Sequence, residues 1–334
     1  MDRVSMEDIA ERADVSMTTV SRALNNKPDI DDQTKRRILR IADELNYRPN
    51  RFAKGLRSSN TSTLGVIVTD ISNPFFSAVL KGVEVAAGKQ DYSLIFEDTD
   101  ENYDMEQSAI QTMLNEQLDG LLITPIQTDG KTILDLKQTN LPFVLLGRYF
   151  EDLETNYVAT NDVKGAYQAT EHLIERGNEK IAFLNGPNYI SSSKDRLQGY
   201  KKAMKAHDLP VSDSFIADNS VTTMSEGYEA AKELLSKSPR PTAIFCFSDF
   251  VALGAVKAAR DAGLKIPQDL SVVGYDDICF STCLEVPLTT VRIPKRELGA
   301  KAANTLMDII AGKENEDSFT QLRLEPELII RESS

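Results

Sequence analysis

Short apolar runs recur along most of this 334-residue chain, and amphipathic segments separate them. The runs are rich in Val, Ile and Leu. Continuous apolar runs of this length are typical of strands buried on both faces of a parallel sheet, with helices as the connections. They lie at 64–69, 92–97, 120–124, 143–147, 180–184, 242–247 and 271–275. Because the runs form two series, the sequence predicts two doubly wound α/β lobes.

The first sixty residues differ in charge from the rest of the chain. The whole chain carries 38 Lys and Arg against 51 Asp and Glu, whereas residues 1–60 carry twelve against ten. From Gln33 to Asn60 there are eight basic residues and two acidic ones. A basic module on an acidic body can bind a polyanion. A run of charged residues alone is more often a solvated surface. The sequence pattern of these first sixty residues must therefore show whether they bind a polyanion.

That pattern predicts a helix-turn-helix. Ser5 and Asp8 form a capping-type start, and the first helix ends before Val15. The chain restarts at Ser16, and Asp14 lies in the turn where such motifs usually place Gly. A second helix is expected over 17–24 and a third over about 32–45. The outward side chains of the second helix suit base edges: Met17, Thr18, Ser21 and Arg22. The plainer alternative is a three-helix bundle with no DNA-binding role.

A basic segment follows the third helix. Pro49 limits helix continuation, and Asn50 can cap a short helix over 51–57. A helix this short is far below the ~12–15 residues that an isolated helix needs in water, so it forms only against a partner. Apolar residues on one side and basic residues around them suit a wedge into the minor groove with phosphate contacts. They are Phe52, Ala53 and Leu56, with Arg51, Lys54 and Arg57.

The runs VSMEDIAERADVSMTTVSRALN and YRPNRFAKGLRS resemble the headpiece and hinge of the LacI/GalR family of bacterial repressors. The resemblance implies an all-α helix-turn-helix headpiece at 1–48, a hinge at 49–60 and a periplasmic-binding-protein-like α/β body at 61–334. Lobe 1 is expected at about 61–160 and 292–320, and lobe 2 at about 161–291 and 321–334.

The resemblance also implies roles for individual residues. Met17, Thr18 and Arg22 would read bases, and Leu56 would intercalate at the operator centre. The expected DNA-binding residues are Ser5, Ser16, Met17, Thr18, Thr19, Ser21, Arg22, Asn25, Tyr47, Asn50, Arg51, Ala53, Lys54 and Leu56. One headpiece reads only a half-site, so we expect a homodimer on a pseudo-palindromic operator.

Candidate ligand-binding residues follow the apolar runs. Ligands of open α/β sheets lie beyond the carboxyl ends of the strands, which places the site between the lobes. Carboxylates with an arginine suit a polyhydroxylated ligand, because each hydroxyl both donates and accepts. The candidates are Thr69, Asp70, Phe75, Phe76, Arg148, Asp162, Arg196, Ser248, Asp249 and Asp276.

The family resemblance singles out Asp162, Arg196 and Asp276 among these candidates, and Arg148 is a candidate for an anionic group. The alternatives are a core role for both phenylalanines, of which we expect at least one in the core, and a helix-capping role for Asp249 or Asp276. Ser248 replaces the Asn that is usual in the family, and the aromatic residue common near 221–222 is missing. The expected effector is therefore a sugar or sugar phosphate of unassigned identity.

Two alternatives stay open. A catabolite-control regulator would use a phosphorylated carrier protein as corepressor, but Asn304 and Asp308 stand where basic residues would be wanted. A sugar-binding transport protein would need export, and would not keep a basic helix-turn-helix. No stretch approaches ~18 apolar residues, and the charged N-terminus does not resemble a signal peptide, so we expect a cytoplasmic protein without a membrane partner.

Enzyme signatures are missing from the sequence. It contains no G-x-G, G-x-x-x-x-G-K-[ST], G-x-S-x-G or H-E-x-x-H motif, and no His/Cys metal set. We therefore expect no catalytic residue, metal or cofactor. His172 and His207 are expected on exposed helical positions. The three cysteines Cys246, Cys279 and Cys283 are expected to be reduced thiols in the core.

Overall fold

The computed structural model describes residues 4–24, 26–27, 29–47, 61–217, 221–313 and 318–334. The chain divides into two compact units, Met1–Thr61 and Ser62–Ser334. The predicted hinge at 49–60 lies outside the described residues. So do Asn25, Asn50, Arg51, Ala53, Lys54 and Leu56 among the expected DNA-binding residues.

The first unit contains the three predicted helices: α1 (Met6–Ala13), α2 (Met17–Leu24) and α3 (Asp32–Glu44). The predicted cap of α1 is present. The Asp8 amide donates to the Ser5 hydroxyl at 3.3 Å, and the Ser5 amide donates to the Asp8 carboxylate at 2.7 Å. Asp14 ends α1 in the left-handed conformation at φ 50°. Ile9, Val20 and Ile38 are fully buried where the three helices meet.

The second unit contains two lobes, each built on a six-stranded sheet. The first lobe comprises β1 (Thr63–Val68), α4 (Pro74–Gly88), β2 (Ser93–Asp98), α5 (Tyr103–Asn115), β3 (Gly120–Ile123), α6 (Lys131–Lys137), β4 (Phe143–Leu146) and β5 (Tyr157–Thr160). The second comprises α7 (Asp162–Glu175), β6 (Ile181–Leu184), α8 (Ser191–Ala206), a 3-10 turn (Asp213–Phe215), β7 (Ile216–Ala217), α9 (Met224–Leu235), β8 (Ala243–Cys246), α10 (Asp249–Asp261), β9 (Ser271–Asp276), a second 3-10 turn (Cys279–Thr282) and β10 (Thr289–Arg292). The predicted doubly wound α/β body is confirmed.

The chain crosses between the lobes three times. It passes from β5 to α7, returns from β10 to α11 (Lys295–Ile310), and crosses again from β11 (Gln321–Leu324) to β12 (Glu327–Ile329). The strand orders are β11-β5-β4-β3-β1-β2 and β12-β10-β9-β8-β6-β7. Strand pairs are parallel except β10 with β12. The expected lobe 2 segment from residue 321 therefore begins too early, because β11 pairs with β5 in the first sheet.

Two further expectations need correction. His172 is buried, not exposed, and its imidazole Nε2 lies 2.9 Å from the Ser334 hydroxyl. Of the three cysteines only Cys246 is buried, whereas Cys279 and Cys283 are exposed at the second 3-10 turn. Among the described residues no helix combines the length and the hydrophobicity that a membrane span requires.

Candidate functional site

A cavity of about 340 Å³ lies between the two lobes, and we call it the cleft. Residues at the carboxyl ends of strands in both sheets form its walls, among them Leu146 of β4, Thr160 of β5 and Asp276 of β9. This is the expected ligand position in open α/β sheets. Eight of the ten predicted ligand-binding residues line it: Asp70, Phe75, Phe76, Arg148, Asp162, Arg196, Ser248 and Asp276.

The structure places the other two away from the cleft. Asp249 is fully buried, and its carboxylate accepts hydrogen bonds from the Ile278 amide, the Ser281 hydroxyl and the Thr290 hydroxyl at 2.8, 2.6 and 2.5 Å. It therefore fixes the chain that follows β9. Thr69 is buried at the end of β1 and does not line the cavity. Both expected ligand contacts are corrected by these positions.

Two aromatic side chains reach the cleft from the start of α4. Asn73 caps this helix, because its side-chain oxygen accepts a hydrogen bond from the Phe75 amide at 3.0 Å, and Pro74 occupies the first turn. The rings of Phe75 and Phe76 meet edge to face at 5.0 Å. Phe76 also belongs to the main apolar core. The prediction that one of the two rings is a core residue is therefore correct for Phe76.

Arg196 is the central cation of the cleft. Its guanidinium lies 3.5 Å from the carboxylate of Asp162 and 3.9 Å from that of Asp276, and it donates to the Phe247 carbonyl at 2.5 Å. The rings of Tyr275 and Phe247 lie 3.7 and 4.6 Å from the guanidinium carbon. Burial opposes the charge, but the neighbouring carboxylates and Tyr275 raise the pKa of Arg196 above its usual value. The cation is thus fixed in position before any ligand arrives.

A close helix crossing brings Asp162 next to Arg196. Gly199 in α8 faces α7, and a β-carbon there would lie 2.3 Å from the Val163 carbonyl oxygen. The two helices can therefore approach more closely than larger residues would allow. The Asp162 carboxylate also accepts hydrogen bonds from the Thr160 hydroxyl at 2.9 Å and the Tyr275 hydroxyl at 2.8 Å.

A tight turn after β9 presents Asp276 to the cleft. Asp276 and Asp277 have φ values of 106° and 54°, conformations that non-glycine residues seldom adopt. The turn is held from outside, since Asp277 accepts from Arg292 at 2.8 Å and from Arg331 at 2.5 Å. The ammonium group of Lys295 donates to the carbonyls of both aspartates.

Asp276 should make stability depend on pH. Burial raises its pKa to about 8, although Arg196 opposes the shift. An unfolded aspartate titrates near 3.9, so between about pH 4 and 8 the folded chain holds a proton that the unfolded chain has lost. Unfolding free energy therefore falls as pH rises through this window. We expect the Tm of the parent to fall about 2–4 °C further than that of Asp276→Asn between pH 6 and 8. Parallel curves in thermal-shift assays at four pH values would contradict this assignment.

Arg148 does not face the cleft as a free cation. Its guanidinium pairs with both carboxylate oxygens of Glu101, one at 3.1 Å, and donates to the Pro125 carbonyl at 3.0 Å. Glu101 lies in a turn at φ 52° after β2. An anionic ligand group could therefore bind Arg148 only in competition with Glu101.

Sequence reasoning missed several residues that line the cleft. Phe247 directly follows β8 and stacks on Arg196. Thr222 and Thr223 precede α9, where the Glu226 carboxylate accepts from both of their amides at 2.9 Å. The T-x-x-E pattern over 223–226 could have been recognised as a capping box. Others of this kind are Asn73, Asp100, Glu101, Thr124, Thr160 and Ser192.

A second set of polar contacts joins the lobes beside the cleft. The Tyr149 hydroxyl donates to the Asp195 carboxylate at 2.9 Å, and the Ser191 amide donates to the Gln127 side-chain oxygen at 2.8 Å. Tyr149 and Gln127 belong to the first lobe, whereas Ser191 and Asp195 begin α8 of the second. These buried contacts tie the start of α8, and with it Arg196, to the opposite lobe.

The outward surface of α2 carries polar side chains. Met17 is 45% exposed, and Thr18 and Arg22 are exposed as well. The Ser16 hydroxyl accepts a hydrogen bond from the Thr19 amide at 3.1 Å, so it caps the helix. Arg22 pairs with Asp29 at 2.5 Å.

Two other expected DNA contacts have structural roles. Ser5 caps α1, and Tyr47 packs against the headpiece core. Ser21 is half-buried. DNA contact by any of these side chains stays a prediction. In the part of the chain that the structure describes, no cluster of three or more His, Cys, Asp or Glu could hold a metal ion.

Comparison with known families gives two matches. Residues 61–332 match the family described as periplasmic binding proteins and sugar binding domain of the LacI family. Residues 5–50 match the family described as bacterial regulatory proteins, lacI family. The two matches together cover most of the chain.

Individual relatives are similar over nearly their whole length. The chain is 38% identical to the ribose operon repressor of Haemophilus influenzae, over 98% of each protein. It is 35% identical to the catabolite control protein A of Priestia megaterium, over 96% of each. The structure is similar to that of the Lac repressor dimer bound to operator and the anti-inducer ONPF, with a TM-score of 0.88, 26% identity and 99% of each chain covered.

Proposed function

The chain belongs to the LacI family of bacterial regulatory proteins, and from this premise we propose that it is a transcriptional repressor whose headpiece binds operator DNA under the control of a small hydroxylated effector in the cleft. The proposal rests on the observation that a single chain combines two features. These are a helix-turn-helix with exposed polar side chains on α2, and a cleft with a buried, prepositioned guanidinium.

The chemistry of the cleft supports a hydroxylated effector. The carboxyl groups of Asp162 and Asp276 flank Arg196, and the rings of Phe75 and Phe76 form an apolar wall. A sugar presents hydroxyls that donate to carboxylates and accept from a guanidinium, together with C–H faces that pack on aromatic rings. The H. influenzae relative is named for a ribose operon, which agrees with this ligand class.

DNA binding is assigned to α2 and to the hinge predicted from sequence. Two chains associate so that two headpieces read the halves of a pseudo-palindromic operator, about 34–36 Å apart. The similar Lac repressor is a dimer bound to operator, which supports this arrangement. Met17, Thr18 and Arg22 contact base edges, and the basic residues of 51–57 contact phosphates. The repressor acts in the cytoplasm and catalyses no reaction.

A second candidate is a catabolite-control regulator that answers to a phosphorylated protein, favoured by the 35% identity to catabolite control protein A. The corresponding segment of α11 disagrees with it. Asn304 is exposed and uncharged, and the Asp308 carboxylate pairs with Lys313 at 2.9 Å. A phosphoserine would meet an acidic side chain there. We therefore prefer an effector in the cleft.

Selection of operator DNA tests the proposed function. The purified full chain is incubated with random duplexes, and the retained sequences are read. We expect a pseudo-palindromic motif, and binding that weakens steeply as salt rises because phosphate contacts release counterions. Enrichment of no motif would reject the proposal, as would an affinity that does not change with salt.

A further inference from the structure

We infer that the cleft selects an uncharged polyhydroxylated ligand and rejects its phosphate ester. The inference rests on the proposed effector role of the cleft, and narrows it. Six carboxyl groups line the cavity, against two cations. They are Asp70, Asp100, Glu101, Asp162, Glu226 and Asp276, against Arg148 and Arg196.

Both cations are already paired with carboxylates of the wall. Arg148 is held by both carboxylate oxygens of Glu101 and by the Pro125 carbonyl. Arg196 is held by the carboxylate of Asp162 and by the Phe247 carbonyl, and the carboxyl group of Asp276 lies 3.9 Å away. A phosphate would have to break a buried ion pair to reach a guanidinium, and would leave a carboxylate without its cation.

Two polar side-chain atoms of residues that line the cleft have no hydrogen-bond partner in the described residues. The Nε–H of Arg196 and the hydroxyl oxygen of Thr124 are buried without a hydrogen bond. A buried polar group without a partner costs free energy, so a ligand that satisfies it gains affinity. Unpartnered donors next to carboxyl acceptors match alcohol groups, which donate and accept at once.

A fixed positive charge on the ligand is disfavoured by the same geometry. Arg196 lies at the centre of the cleft, between the rings of Tyr275 and Phe247, and its charge would repel an ammonium group. Asp162 and Asp276 already face Arg196, and Glu101 already faces Arg148. Asp70 accepts from the Ser72 amide, Glu226 accepts from the amides of Thr222 and Thr223, and Asp100 is exposed to solvent. The ligand that satisfies the wall therefore carries neither an anion nor a cation.

Matched ligand pairs test the inference on the full-length protein. Thermal shift and calorimetry compare a panel of neutral pentoses, hexoses and disaccharides with phosphate esters and amino sugars. The matched sets include D-ribose with D-ribose 5-phosphate, and D-glucose with both D-glucose 6-phosphate and D-glucosamine. We expect at least one neutral sugar to bind, and its ester to bind about 100-fold more weakly. An ester or amino sugar that binds as tightly as its neutral parent would overturn the inference, as would a panel without a neutral binder.

Glu101→Gln adds a gain-of-function test. The variant removes the carboxylate that occupies Arg148, so we expect the ester-to-neutral affinity ratio to rise at least about tenfold. Glu97→Gln removes the same charge four residues earlier, outside the cavity wall, and should leave the ratio unchanged. Equal ratios in the two variants would contradict the role of the Arg148–Glu101 pair.

Operator affinity measured on the same samples separates this inference from the proposed function. An ester that binds the cleft and changes operator affinity would overturn the ligand class and leave the repressor assignment intact. A neutral sugar that binds without changing operator affinity would support the ligand class and count against effector control.

Discussion

Replacement of Arg196 by alanine is expected to weaken effector binding at least about 100-fold, because the guanidinium is the central donor of the cleft. The side chain is only 6% exposed, and its removal leaves the buried carboxylate of Asp162 without a cation. Breaking a buried pair typically costs about 3–5 kcal/mol of stability. Calorimetry measures the ligand affinity, and thermal melting measures the stability.

Two matched variants make the Arg196 result specific. Arg196→Lys keeps the charge but cannot stack between two rings while donating to several acceptors, so we expect stability to recover more than affinity. Arg260 is an exposed arginine of α10 that pairs with Glu285, and Arg260→Ala should change stability by less than about 1 kcal/mol. Ligand affinity that survives Arg196→Ala undiminished would remove this residue from the site.

Replacement of Arg22 by alanine is expected to relax base preference at one position of each half-site by about 1–3 kcal/mol. Arg22 is exposed on α2 and pairs with Asp29, so its side chain can exchange a surface partner for a base edge at little cost. Operator selection with the variant, followed by titration of single-base changes, measures the loss.

A charge control accompanies this prediction. Arg40 lies in α3, is highly exposed and pairs with Glu44. Arg40→Ala removes the same charge from the headpiece, so it should lower affinity for all sequences alike and leave the motif intact. A selected motif that Arg22→Ala does not change would count against base reading by this side chain.

Elements with a strong local pattern could be predicted from the sequence. The seven apolar runs agree with strands to within one residue at each end, and α2 begins and ends at the predicted residues. Strand β11 could not be predicted, because its residues are exposed or half-buried and show no apolar run. Tyr157–Thr160 is short and ends in a polar residue, so β5 gave no signal comparable to β1.

Cleft residues could be predicted from the sequence where they lie at the end of a strand or near the start of a helix. They could not be predicted where the pairing of a side chain depends on a residue far away in the sequence. Asp162 is the first residue of α7, Asp276 is the last residue of β9 and Arg196 lies in the second turn of α8, and all three line the cavity. Glu101 lies 47 positions from Arg148, in a turn without a local motif, so the pair was invisible in the sequence. His172 likewise appeared to be a surface residue because its partner Ser334 is 162 positions away.

Control of operator binding from the cleft is the central claim, and reciprocal coupling tests it most directly. The operator Kd is measured by fluorescence anisotropy with and without saturating ligand, and the ligand Kd by calorimetry with and without saturating operator. Linkage requires that the two affinities change by the same factor, which we expect to be about 5–150-fold. An operator Kd that saturating ligand leaves unchanged would contradict the account.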